Sequence, residues 1–281
     1  MIILRQRYYS NKDKNNSTSN LEKAIAGGAL AVGGGVAGDI SNIHLCKAYN
    51  KGKIRQVVNN YNENANLLRK LKEIGEKDGI EISISPYSSN TGSYTRAINP
   101  KTKEILGEKI DSSAYAGTLA HELGHSRHYG GRDGSRLGKL AHKASRKIDD
   151  ANEILRKNKA PRVESIAASG VGFASGYKAG VDGKDSALNI AAPGAVALMS
   201  HAPDITKEIA ASRRGYKLLK KSGASKKFLK GYKKALGTAA GTYASTAIPT
   251  LGLAYGSMLV GKAVGNEARK NKEKKKKNNN K

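Results

Sequence analysis

The chain contains no tryptophan, two phenylalanines and a single cysteine among 281 residues. One Cys46 excludes an intrachain disulfide and leaves the redox compartment open. With no Trp and only two Phe, the core materials are unusual for a soluble enzyme. Apolar character comes from Ala, Leu, Ile and Val together with 32 glycines, a mixture that lets helix backbones approach closely, as in membrane proteins. Acidic residues are also scarce. Fifty Lys and Arg face 23 Asp and Glu, a net charge of +27. Such a charge attracts nucleic acid or anionic lipid head groups, or simply keeps the chain solvated, and it says nothing about fold. At the N-terminus, Met1 to Leu4 is interrupted by Arg5, too short a run for the apolar core of a signal peptide.

What is present falls into blocks. Residues 1–23 read as a disordered basic arm. Residues 24–39 form a Gly/Ala-rich apolar segment, AIAGGALAVGGGVAG closed by Asp39. From Ile54 to Glu76, the positions Ile54, Val57, Val58, Tyr61, Leu67, Leu68, Leu71 and Ile74 recur at helical spacing, which predicts one amphipathic helix stopped by Gly79. Ile80, Ile82 and Ile84 alternate with polar residues, as a half-buried strand requires, and 93–98 and 104–110 are further strand candidates. A helix is expected over 113–125, capped by Ser112 or Ser113. Residues 130–162 are basic and helical in pattern. Two small-residue, uncharged runs, 165–177 and 186–202, flank a polar turn and predict an apolar helical hairpin. A charged helix follows over 205–221. Residues 235–261 are uncharged and broken only at Pro249, and 262–281 read as a disordered polybasic tail.

The chemistry concentrates at HELGH, residues 121–125. Residues four apart on a helix share a face, so His121 and His125 can reach one ion, and Glu122 can address a water beside it without binding the metal. An HExxH string arises by chance in roughly 1% of chains this long, so a third ligand has to decide. His128 follows by one helical turn, but the longer metzincin pattern needs Gly and His where this chain has His128 and Gly131; a solvated role suits His128 better. His142 and His201 have no partner at ligand spacing. Glu208, on a separate helix, would complete a His2Glu set with an open water position.

HELGH followed far downstream by EIAASRRGYKLL (208–219) resembles the bacterial neutral zinc metallopeptidases, related to the HtpX-like and CAAX-prenyl membrane proteases. In the broader group an Asp stands four positions after the Glu. This chain has Ser212 there, and the narrower branch likewise carries Ala-Ser-Arg-Arg. The resemblance covers about residues 55–220. It implies metal ligands His121, His125 and Glu208, Glu122 as general base, a Zn2+ cofactor, and a predominantly helical α+β fold of zincin type. In that fold residues 40–234 form a peptidase domain with a small sheet, the HExxH helix and the inserted apolar hairpin 165–202. An oxyanion donor is also needed; Arg213, Tyr216 and His201 are equal candidates.

A membrane span needs about 20 apolar residues. Only 235–261 is long enough; 24–38 and 165–177 are short, and 186–202 is borderline. The basic flanks favour the cytoplasm. The expectation is therefore a membrane-associated zinc endopeptidase, its catalytic domain on the cytoplasmic side, acting on a protein or peptide substrate. Two other readings compete. One is a non-catalytic basic protein, virion- or mobile-element-associated, that grips nucleic acid or anionic lipid through its tail. The other is a glycine-rich, membrane-active protein, which leaves HELGH without a role.

Overall fold

The computed structural model describes residues 2–85, 92–99, 105–129, 136–158 and 162–279. Its element order is α1 (Ile2–Asn59), α2 (Tyr61–Lys77), β1 (Ile80–Ser85), β2 (Ser93–Ile98), β3 (Ile105–Ser113), α3 (Ala116–Tyr129), α4 (Arg136–Lys157), α5 (Val163–Asp182), α6 (Ala187–Lys221), α7 (Lys226–Ser245) and α8 (Ala247–Asn279). The fold is predominantly helical α+β with one small sheet, as expected. The chain divides into two compact units.

One unit comprises 41–147 and 202–244. Its sheet has the order β1-β3-β2, with β1 parallel and β2 antiparallel to the central β3. The alternation in Ile80–Ser85 puts Ile80 inside and leaves Glu81 in water, and Ile110 on β3 is fully buried. Leu67 and Leu71 on α2 and Leu119 and Leu123 on α3 join this core, as do Leu219 on α6 and Phe228 and Tyr232 on α7. Gly79 has φ 78°, a left-handed conformation that lets the chain turn from α2 into β1 at no steric cost.

The other unit comprises residues 1–40, 148–201 and 245–281. Here α5 lies along α8 with almost no side chain between them. A Cβ at Gly172 would strike the carbonyl of Ala254, one at Gly176 that of Met258, and one at Gly261 that of Phe173. Gly34 on α1 meets Gly252 on α8 in the same way. The buried residues at the heart of this packing are alanines: Ala168, Ala197 and Ala254.

Four expectations differ from this picture. The helix over 54–76 is two helices, broken at Asn60, whose Nδ2 donates back to the Gln56 carbonyl at 3.1 Å; asparagine side chains compete with the helical ladder in this way. Ser112 and Ser113 belong to β3 rather than capping α3. That helix is capped from a distance by Asn64 of α2, which accepts from the Ala116 N–H at 2.9 Å and donates to the Ala114 carbonyl at 2.8 Å. The terminal segments expected as disordered arms are helical, α1 from Ile2 and α8 through Asn279. Lysine and glutamate are good helix formers, and residues 266–279 contain no glycine or proline to stop α8. Finally, the hairpin 165–202, expected within one domain spanning 40–234, clusters up to His201 with the Gly-rich unit.

Candidate metal centre

His121, Glu122 and His125 sit on α3, and Glu208 on α6. What brings the two helices together is small residues at the crossing. Gly124, the fourth residue of HELGH, faces the Ala211 backbone so closely that a Cβ there would run into its carbonyl. At the next contact a Cβ on Gly215 would come 2.7 Å from the Ala120 carbonyl oxygen. Backbone contact on this scale carries Glu208, one turn before Ala211, to the two histidines.

The three side chains converge on one point. His121 Nε2 is 3.1 Å from Glu208 Oε2, His125 Nε2 is 3.2 Å from the same oxygen, and the two Nε2 atoms are 3.2 Å apart. Ligands at zinc distances of about 2.0–2.1 Å and tetrahedral angles stand about 3.3 Å from each other. The nearly equilateral triangle therefore fits one divalent ion above its centre. Chemistry agrees with geometry. His121 Nδ1 is 3.0 Å from Ser212 Oγ; with its proton donated there, the Nε2 lone pair faces the triangle, the tautomer a metal needs. Ser212 thus fixes the orientation of the His121 ring. Two imidazole lone pairs and a carboxylate oxygen meeting at this separation repel one another unless a cation or proton stands between them.

The electrostatics follow from burial and neighbours. Burial pushes the Glu208 carboxyl up, but hydrogen bonds from His121 and His125 and their charge outweigh it and hold it well below the ordinary range. Glu122 is 6% exposed, and burial raises its carboxyl above the usual value despite the pull of the two histidines. A buried carboxylate whose pKa is raised marks a candidate functional group. Gly92 keeps the space next to it open, since a Cβ there would lie 3.0 Å from Glu122 Oε1.

A cavity of about 290 Å³ opens over the triangle, and its wall includes Gly92 and the first residues of the edge strand β2, Ser93 and Tyr94. Two further tyrosines line it, Tyr49 and Tyr243. Burial, with the negative charge of the neighbouring Glu208, pushes the Tyr243 phenol well up, and burial pushes the Tyr49 phenol up to about 12. Neither was legible as a site residue. The proposed oxyanion donors are not gathered here. His201 falls in the other unit, buried, with Nε2 2.9 Å from Thr250 Oγ1. Arg213 and Tyr216 line a second, neighbouring cavity. The side chains of His128 and His142 lie outside the described residues.

Two helical stretches, Glu22–Asn59 and Lys226–Asn279, are long and apolar enough to cross a membrane. No family model, curated protein or solved structure matches the chain.

Proposed function

We propose that the chain is a zinc-dependent metalloendopeptidase of zincin type, belonging with the neutral zinc metallopeptidases it resembles. The observation that carries this reading is the 3.1–3.2 Å triangle of His121, His125 and Glu208 with the buried Glu122 beside it. Bound there, zinc would supply Lewis acidity and lower the pKa of a water towards about 7. Glu122 accepts the proton of the attacking water and passes it to the leaving amine. Ser212 holds the His121 ring in its working tautomer. The edge strand β2, whose Ser93 and Tyr94 line the cavity, offers backbone groups to an extended substrate. Zinc-loaded protein is expected to cleave an unstructured protein substrate. Glu122→Gln should keep its zinc and lose about 10³-fold in rate, the size of a general-base contribution. A variant that cleaves at the wild-type rate would sink the mechanism.

The chain is membrane-associated, with the peptidase unit on the cytoplasmic side. This reading rests on the two long apolar helices and on exposed aliphatic residues such as Val32 at 69% and Leu188 at 75%. Exposed lysines at the end of α8 contact anionic head groups or nucleic acid. Retention on membranes through a high-salt wash, with release by detergent, is the expected behaviour. Release by salt alone would leave the second reading, a basic protein held at anionic surfaces by charge.

A further inference from the structure

Beside the metal cavity lies a larger groove of about 670 Å³ between α6 and α7. Glu208, Leu236, Ala239 and Tyr243 line both, so the groove adjoins the metal cavity. Ile205, Ile209 and Leu236 supply apolar wall. Its size falls within the range of pockets that hold an organic ligand. The rim is strongly basic: Arg213, Lys217 and Lys220 on α6 and Lys233 on α7 all line it, and Glu208 is the only acid in the lining. Lys233 is positioned over the Tyr216 ring, 4.8 Å from its centroid. Arg213, Lys217 and Lys220 are exposed.

We propose that this groove takes the flanking residues of the substrate, a peptide in extended conformation with an apolar side chain and carboxylates at alternate positions beside it. The inference rests on the peptidase reading and adds the substrate class to it. Charge spacing selects a peptide over a lipid. Residues 213, 217 and 220 follow an i, i+4, i+7 pattern along one face of α6, spanning about 10 Å at 1.5 Å per residue. Alternate side chains of an extended chain are about 6.7 Å apart, so two carboxylates can each meet a separate cation. A lipid concentrates its charge in one head group and would leave part of the row unanswered. The apolar wall then receives the uncharged side chain, and the shared lining delivers the neighbouring peptide bond to the metal centre.

The test uses the full chain carrying Glu122→Gln, loaded with zinc, and two fluorescent ten-residue peptides. One carries leucine with glutamates at alternate positions; the other has lysines in place of the glutamates. Fluorescence anisotropy should show the acidic peptide binding at least about tenfold more tightly. The preference should collapse in Lys217→Glu/Lys220→Glu and persist when Lys274 and Lys276 in the α8 end are reversed instead, which separates the groove from the general positive charge. Gly237→Leu, at a position lining the groove with open space around its Cα, should weaken the acidic peptide. Equal affinity for both peptides overturns the proposal. So does a preference indifferent to the groove reversal, or displacement of the acidic peptide by phosphatidylserine vesicles acting through Lys217 and Lys220. Cleavage is read separately in the wild type. Selective binding without cleavage removes the peptidase reading, whereas cleavage without selective binding removes only the groove.

Discussion

The two units of this chain are held together by different physics. In the unit carrying the candidate metal centre, long side chains fill the interior: Leu67, Leu71, Ile110, Leu119, Leu123, Phe228 and Tyr232 are each at most 2% exposed. Burying such groups removes apolar surface from water at about 25 cal/mol per Å². In the Gly-rich unit the buried contacts are between backbones, at Gly172, Gly176 and Gly261, with alanines around them. Its large apolar side chains point outward instead, including Ile25, Val36, Leu188 and Met199. Water punishes that arrangement, while a lipid surrounding rewards close backbone packing and tolerates aliphatic exteriors. The difference teaches that one chain uses two packing modes, and that His121, Glu122, His125 and Glu208 sit in the unit whose core is filled by long side chains.

Mutations can break this contrast unit by unit. The largest effect is expected at Leu71, fully buried between α2 and its neighbours. Leu71→Ala should cost about 3 kcal/mol and lower protection from hydrogen exchange across α2, the sheet and α3. Gly176→Val places branched carbon against the Met258 carbonyl and should cost about 2 kcal/mol of overpacking. Its loss of protection should stay within α5 and α8, with zinc content unchanged. If both variants lose protection over the same residues, the division into two kinds of packing is wrong.

A smaller effect sharpens the site itself. Ser212→Ala removes the acceptor of the His121 Nδ1 proton and should weaken zinc binding about tenfold, at the lower end for an orienting partner. Competition with a chelator of known affinity measures it. Ser212→Asp should restore the affinity, since a carboxylate accepts the same proton; failure of both changes would mean that Ser212 does not set the tautomer.

The site was more legible in the sequence than the architecture around it. HELGH fixes its own geometry, because two histidines four apart on a helix share a face whatever the rest of the chain does. Glu208 was legible through the resemblance carried by EIAASRRGYKLL, with a carboxylate suited to a third ligand, and the structure sets it 3.1 Å from His121. The sheet was visible in the alternation of Ile80, Ile82 and Ile84. What escaped were relations between distant segments. Asn64 capping α3 from α2, and Tyr243 reaching Glu208, depend on tertiary placement that no local pattern records. The membership of the hairpin 165–202 escaped for the same reason. Its glycines announce close approach to some backbone, but periodicity does not say that the partner is α8.

The central claim is that three residues from two helices form one metal site, and zinc content tests it most directly. Purified under metal-replete conditions, the wild-type chain should hold about one zinc, and both His121→Ala and Glu208→Ala should lose it. A wild-type chain without zinc, or a Glu208→Ala variant that keeps the full wild-type content and affinity, would contradict the account.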